Sequence, residues 1–155
     1  MRVLVLFPAL LASLAGTALA KPELIRSVSS PIYHLYLQSY PEDTSIPVLG
    51  PEASAEYFNI AGTIQSVNSS FYLGIKSDAT SYKSLLFSKD SVDAWGLEGD
   101  TIMTKQGSSW GRQLNFLACE LEDTSYWQLY LQTGSDMPTG RNCSNYQTIH
   151  LPCLC

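Results

Sequence analysis

Four cysteines and one histidine lie close together in the last part of the chain. Cys119 belongs to the segment NFLACELED, and the final segment CSNYQTIHLPCLC contains Cys143, His150, Cys153 and Cys155. Thiolate and imidazole groups at short spacing form structural zinc sites, and paired thiols form redox centres or disulfide bonds. The residues alone therefore leave three hypotheses, namely a metal site, a redox pair and structural disulfides, and the cellular compartment distinguishes among them.

The first twenty residues indicate that compartment. They combine the basic residue Arg2, a nearly continuous apolar run over residues 3–15, and the small-x-small triplet ALA at 18–20. This pattern is typical of a secretory signal peptide, and the apolar run is shorter than the roughly 20 residues of a membrane-spanning helix. We therefore expect residues 1–20 to be a cleaved signal peptide. The product is then secreted, extracellular or in the cell wall, without membrane insertion.

Length and charge restrict the partners of the secreted product. Cleavage would leave 135 of the 155 residues, a length that suits one domain, with eight basic and fourteen acidic residues and a net charge of −6. The acidic residues are scattered and the basic residues form no run. Nucleic acid and anionic membranes both need a basic patch, so we expect neither as a partner.

In an oxidising compartment, the cysteines are disulfide candidates before they are ligands. Their spacing matches no zinc finger, and Cys153 and Cys155 have one residue between them instead of two to four, so we expect no metal and no cofactor. A bond between these two would close a strained ring. Two pairings remain, 119–153 with 143–155 or 119–155 with 143–153, unless one terminal cysteine is free or bonds another chain.

Two sequons predict surface loops that can carry glycans. They are NSS at 68–70 and NCS at 142–144, so the acceptors would be Asn68 and Asn142 if the source is eukaryotic. Cysteine in the middle position makes the second a poorer acceptor.

The rest of the sequence has the pattern of an all-β protein. Runs of four to eight residues rich in Tyr, Phe, Ile, Leu and Thr alternate with turn residues, and the best helix candidate, PEASAEYF, favours only one turn. We expect a flexible leader over 21–30 and a single antiparallel β-barrel or β-sandwich domain over 31–155, with disulfide bonds at its C-terminus. PEDTSIPVLGP contains three prolines, which predicts an edge segment or a surface loop.

One hairpin is predicted in detail. The runs NFLACELE and YWQLYLQ flank the turn sequence DTS at 123–125. Alternation along these runs puts the following side chains on the apolar faces: Leu117, Cys119 and Leu121 in the first strand, and Trp127, Leu129 and Leu131 in the second.

Aromatic residues are the strongest candidates for a binding surface. The chain has nine tyrosines and three tryptophans. We predict ligand-binding roles for those in the N-terminal strand and in Gly-flanked turns: Tyr33, Tyr36, Tyr40, Trp95 and Trp110. The alternative is that Trp95 and Trp127 fill the core while the tyrosines pack with their hydroxyls at the surface.

Catalytic patterns are weak, so we predict no catalytic residues and no enzyme. His34 and His150 are the only two histidines, and neither lies in a nucleophile elbow. An acid pair such as Glu120 with Asp100 would suit a small hydrolase, but hairpin turns collect acids for solvation alone. Asp78 in SDATS and the turn at 98–100 offer oxygens to calcium without the spacing of a calcium loop.

Two segments carry a family resemblance. FYLGIKSDATS and LNFLACELEDTSYWQLYLQTGSDMPTGRNCSNYQTIHLPC resemble the small secreted fungal cell-wall proteins of the PhiA type over about half of the mature chain. That family has LFLGL…DATC, then SFLAC, a W-x-I/L strand, a P-x-G loop, G-C-S-x-F and a final S/P-x-C. Ser81 stands at the position of the family's DAT-Cys, and Cys155 is additional.

The resemblance implies a secreted, glycosylated, non-enzymatic protein of the fungal wall, associated with the development of spore-bearing cells. It would act by binding or by structure, with wall polysaccharide or a host surface or receptor protein as partner, and a host could recognise it as an elicitor or effector of immunity. A lectin-like carbohydrate-binding module is the alternative hypothesis, and an acid-pair hydrolase ranks last.

Overall fold

The computed structural model describes residues 21–152, so the predicted signal peptide, Cys153 and Cys155 lie outside the described residues. Within this range the chain forms thirteen strands and one 3-10 turn at Glu52–Ser54. The strands are β1 Arg26–Ser27, β2 Tyr36–Tyr40, β3 Asp43–Gly50, β4 Phe58–Ile60, β5 Ile64–Ser66, β6 Tyr72–Ile75, β7 Tyr82–Ser88, β8 Trp95–Glu98, β9 Thr101–Thr104, β10 Phe116–Glu120, β11 Trp127–Gln132, β12 Cys143–Gln147 and β13 Ile149–His150.

The strands form one antiparallel sheet that closes almost completely into a barrel. Its order is β4-β5-β6-β7-β11-β3-β2-β1-β13-β9-β8, with β10 on the other side of β11 and β12 beyond β10. An isolated bridge between Glu23 and Phe58 connects the residues before β1 to β4, so the two ends of the path from β4 to β1 meet. Closure leaves few unpaired edges. The predicted all-β fold is confirmed, and its form is barrel-like.

The hairpin predicted around residues 123–125 is confirmed. Strands β10 and β11 pair in continuous register from Phe116 opposite Leu131 to Glu120 opposite Trp127. Asp123 closes the turn, because its carboxylate accepts the Ser125 N–H at 3.1 Å and its carbonyl accepts the Tyr126 N–H at 3.0 Å. An aspartate that binds the backbone two residues later is a typical turn device.

Both faces of β10 are buried, which corrects the predicted apolar face of that strand. Phe116 and Ala118, assigned to the opposite face, belong to the main core of the barrel. Leu117 and Cys119 form a second, smaller apolar cluster with Tyr130. Alternation in sequence identifies one buried face of a strand, and it fails where a second layer covers the other face.

The N-terminal segment also differs from expectation. Residues 21–30 were predicted to be a flexible leader, but β1 pairs with both β2 and β13, and Ile25 and Ser27 are fully buried. The backbone of Glu23 exchanges two hydrogen bonds with Phe58. Burial of Ile25 and these backbone bonds makes the segment part of the barrel wall.

The proline-rich segment is a central strand, which corrects the prediction of an edge or loop. Strand β3 lies between β2 and β11. Ser39, opposite Pro47, donates its N–H to the Glu56 carboxylate at 2.8 Å, and pairing with β11 begins only at Val48. The missing N–H of Pro47 therefore removes no hydrogen bond from the sheet at this position.

Within residues 21–152, helical structure is limited to the region of the helix candidate. The single turn at Glu52–Ser54 lies in PEASAEYF, and strand β4 begins at Phe58. In the part of the chain that the structure describes, no helix has the length and apolar character needed to cross a membrane.

Candidate functional site

The structure separates the five predicted ligand-binding aromatics into buried and exposed groups. Trp95 is 1% exposed and Tyr36 is 4% exposed, so both predictions are wrong. The Trp95 indole packs parallel to the ring of Phe116 at 6.4 Å and donates its Nε1–H to the carbonyl of Leu73 at 2.9 Å. Because its ring is buried and its only polar atom is already hydrogen-bonded inside the core, the Trp95 side chain is not accessible to a ligand.

The other three aromatics keep some exposure. Trp110 is half-buried and packs against the main core, and Tyr40 is half-buried with its ring edge-on to Tyr126 at 5.5 Å. Tyr33 is 59% exposed and stacks on His34. Of the five residues, only Tyr33 is largely available to a ligand.

The disulfide differs from both expected pairings. Cys119 bonds Cys143 with a Cα–Cα distance of 4.0 Å, and the two residues lie directly opposite each other on β10 and β12. The pairings that joined either residue to 153 or 155 are therefore wrong. They followed from the premise that all four cysteines pair within the chain, whereas the strand register alone places 119 beside 143.

The two sequons occupy different surroundings. Asn68 lies in the exposed turn between β5 and β6. Asn142 is also exposed, but its Nδ2 donates to the Glu120 carboxylate at 3.0 Å and the next residue, Cys143, is in the disulfide. Glycosylation at either asparagine stays a prediction.

The acid pair proposed for hydrolysis does not form a contact in residues 21–152. Asp100 hydrogen-bonds His150 Nδ1 at 3.2 Å, and this bond lowers the pKa of the carboxyl below its usual range. The other ring nitrogen of His150 contacts the Thr148 hydroxyl at 2.7 Å. Glu120 instead accepts from Asn142. Each of the two acids therefore hydrogen-bonds a different nearby residue, and the two do not form a pair.

The SDATS loop, considered for calcium, contains a cation from the chain itself. The Lys83 ammonium donates to the carbonyls of Asp78 and Thr80 at 2.5 and 2.6 Å. The Asp78 carboxylate accepts the Ser84 N–H, which lowers the pKa of Asp78. Across residues 21–152, no group of three or more metal-ligating side chains comes together.

A groove of about 350 Å³ at the β11–β12 end of the barrel is the best candidate for a binding site. We call it the amide groove, because three of its lining side chains are carboxamides and none is charged. The lining residues are Gln113, Asn115, Gln132, Thr133, Gly134, Ser135 and Tyr146.

A β-bulge places Tyr146 at this groove. Ala118 pairs with Ser144 and Phe116 pairs with Gln147, so two residues of β12 lie opposite Leu117 alone. Tyr146 has a φ of 53° and is 59% exposed. Bulges redirect side chains, and non-glycine residues with positive φ cluster at functional sites, so Tyr146 is a candidate ligand contact.

Gln132 holds the bulge in place. Its side chain is buried, its Oε1 accepts the Tyr146 N–H at 2.7 Å, and its Nε2 donates to the Gly134 carbonyl at 2.9 Å. One carboxamide therefore connects the two walls of the groove. A buried amide with both ends bonded is a rigid support for the residues around it.

The remaining polar atoms of the amide groove are available to a ligand. Gln113 uses only its Nε2, which donates to the Trp110 carbonyl at 3.1 Å. The Asn115 carboxamide makes no side-chain hydrogen bond within the described range. A carboxamide offers both donors and acceptors, so this surface suits a neutral ligand rich in hydroxyl groups.

The wall formed by residues 133–136 is fixed by a single serine. The Ser81 carbonyl accepts from Thr133 N and Oγ1 at 2.7 and 3.0 Å, and the Ser81 hydroxyl accepts from the Asp136 N–H at 2.8 Å. A Cβ on Gly134 would stand 2.8 Å from the Ser81 Cβ, so the close approach requires glycine.

A second groove, of about 480 Å³, contains Arg141 beside the disulfide, with Glu120 and Glu122 also in its lining. The Arg141 guanidinium donates to Gln128 Oε1 at 3.1 Å and to the Tyr130 hydroxyl at 2.7 Å, and it lies near the Tyr130 ring. Because its donors serve the protein itself, this groove is the weaker candidate.

Sequence reasoning missed the amide groove entirely. Gln113, Asn115 and Gln132 are ordinary polar residues in the sequence, and Tyr146 lies in a strand whose bulge depends on pairing with β10. Asn145, directly before Tyr146, was the only local signal, because Asn is depleted in regular strands.

Comparisons of the chain with protein-family models, with characterised proteins and with solved structures find no match. The resemblance to PhiA-type wall proteins therefore stays a prediction from the motifs.

Proposed function

We propose that this chain is a secreted, non-enzymatic protein that binds neutral wall carbohydrate through the amide groove. The observation that carries the proposal is the composition of the groove, in which carboxamides, hydroxyls and an exposed tyrosine line about 350 Å³ without any charged side chain. A sugar presents many hydroxyl groups and no charge, and it needs paired donors and acceptors such as these.

The aromatic residue supplies the apolar part of such a site. Tyr146 is 59% exposed, and the hydrogen bond of its backbone N–H fixes the point from which the side chain projects. A rigid tyrosine gives a large amphipathic contact at low entropic cost.

Secretion is part of the same proposal. It rests on the signal-peptide pattern of residues 1–20, and the Cys119–Cys143 bond is of the kind that persists in oxidising compartments. Assignment to a fungal wall rests on the motif resemblance alone.

The test is binding of the purified secreted protein to insoluble chitin, to β-glucan and to mannan, with soluble oligosaccharides of each measured by calorimetry. We expect Tyr146→Ala and Asn115→Ala each to weaken binding about tenfold, equivalent to about 1.4 kcal/mol. Tyr57→Ala is the matched control, because Tyr57 is 50% exposed and lies outside the groove. Wild-type protein that binds none of these polymers, or groove variants that bind as wild type does, would refute the proposal.

A further inference from the structure

Beyond the amide groove, the loop between β1 and β2 displays a second aromatic surface. Tyr33 is largely exposed, and its ring stacks on the ring of His34 with centroids 3.8 Å apart and planes inclined by 20°. His34 is exposed and has a φ of 57°. We call these two residues the Tyr33–His34 platform.

The platform is built on a rigid loop. Ile32, the residue before it, is fully buried in the main core. The Ser27 hydroxyl donates to the carbonyl of Ile32, and the His34 N–H donates to the carbonyl of Ser27 at 3.2 Å. The loop therefore holds two exposed rings against a fixed base, and the positive φ of His34 is strain of the kind that persists at binding sites.

A hydrogen bond joins this loop to the residue that follows Tyr146 in β12. Gln147, the residue after Tyr146, donates its side-chain Nε2–H to the carbonyl of Ser30 at 3.2 Å. Ser30 precedes Tyr33 by three residues, which span at most about 10 Å when extended. The two exposed tyrosines therefore lie at the two ends of a short bonded path.

We infer that the binding site continues from the amide groove onto the Tyr33–His34 platform, and that its ligand is a neutral oligosaccharide several sugars long. This inference rests on the proposed function. The amide groove holds one part of the sugar chain by hydrogen bonds, and the platform adds an aromatic contact to a more distant sugar. Two linked contacts raise the affinity of a long ligand without changing that of a short one.

The test is a length series of neutral oligosaccharides, from disaccharide to hexasaccharide, of the polymer that the protein binds. For wild type we expect Kd to fall at least tenfold along the series. Tyr33→Ala should remove this gain while leaving the disaccharide Kd within twofold of wild type. Tyr146→Ala should weaken every member of the series, and Tyr57→Ala should change none.

A second variant separates loss of the ring from damage to the loop. His34→Gly removes the stacked imidazole at a positive φ that glycine adopts freely, so the loop keeps its shape. We expect this variant, like Tyr33→Ala, to reduce the increase in affinity with oligosaccharide length. If both variants keep the full length dependence while Tyr146→Ala still weakens binding, the platform inference is overturned and the proposed function stands. If wild type binds no member of the series, both the platform inference and the proposed function are overturned.

Discussion

Ser81 and Asp136 exchange two hydrogen bonds between loops that are distant in sequence. The Ser81 N–H donates to the Asp136 carboxylate at 3.0 Å, and the Asp136 N–H donates to the Ser81 hydroxyl at 2.8 Å. Together with the two bonds that Thr133 gives to the Ser81 carbonyl, they fix one wall of the amide groove to the residue that precedes β7.

Ser81→Ala tests this role. The variant leaves the Asp136 N–H without its partner, so we expect a loss of about 1 kcal/mol in unfolding free energy. It should also weaken carbohydrate binding, because the wall at 133–136 is less well ordered. Urea denaturation and calorimetry measure the two effects. Ser77→Ala, an exposed serine nearby, is the control. Equal stability of the two variants would contradict the role.

Removal of the disulfide should destabilise the barrel strongly. The Cys119–Cys143 bond closes a loop with a sequence separation of 24, for which the chain-entropy model gives about 3 kcal/mol. We expect the double variant Cys119→Ala/Cys143→Ala to melt well below wild type. Thermal melts should be run with and without reductant. Reductant should lower the melting temperature of wild type and leave that of the double variant unchanged; a double variant as stable as oxidised wild type would contradict the prediction.

The internal cation at the SDATS loop is a stabilising contact. The Lys83 ammonium binds two carbonyls, and hydrogen bonds to charged groups contribute about 2 kcal/mol. We expect Lys83→Met to lower the unfolding free energy by that amount, because the carbonyls of Asp78 and Thr80 lose their donor. Lys89→Met, at an exposed position, serves as the control in the same denaturation series. If Lys89→Met loses as much unfolding free energy as Lys83→Met, the loss comes from removal of a positive charge and not from the two carbonyl contacts.

Asp78 should contribute to stability against acid. The Ser84 N–H lowers the pKa of the folded carboxyl below its ordinary value of 3.8. A lowered pKa means that the contribution is fully present above pH 3.8 and is lost as pH falls through the folded pKa. We expect Asp78→Asn to be less stable near neutrality and to lose less stability on acidification. Denaturation between pH 6 and about pH 2 measures this dependence.

For comparison, Asp90→Asn changes an exposed acid whose carboxylate accepts no hydrogen bond within residues 21–152. It should keep the acid dependence of wild type. If the unfolding free energies of wild type and Asp78→Asn fall equally as the pH is lowered, the role of Asp78 is contradicted.

The sequence predicts the local parts of this fold well. Asp123 in a turn sequence between two alternating runs was sufficient for the β10–β11 hairpin, because both the turn and the register are local. Core positions for Trp95 and Trp127 were considered as the alternative, and that alternative is confirmed. Local propensity also favoured only one helical turn in PEASAEYF, which the structure has at Glu52–Ser54.

The candidate site depends on pairing between distant segments, which the sequence does not encode locally. The bulge at Tyr146 exists because β12 pairs with β10, and the same register places Cys143 opposite Cys119. Likewise, Gln113, Gln132 and their neighbours form a site only where separate loops meet. Cysteine spacing alone favoured other bonds, because it contains no information on strand register.

The pairing of Arg26 with His150 has a consequence for biosynthesis. The first strand of the barrel finds one of its two neighbours only in the last described strand, β13. Until that strand has left the ribosome, β1 presents an open edge and the wall cannot be completed. Non-local β pairing of this kind slows folding and exposes partly folded chains to aggregation. We therefore expect the barrel to close only after β13 has been synthesised, because β1 gains its second neighbour at that point.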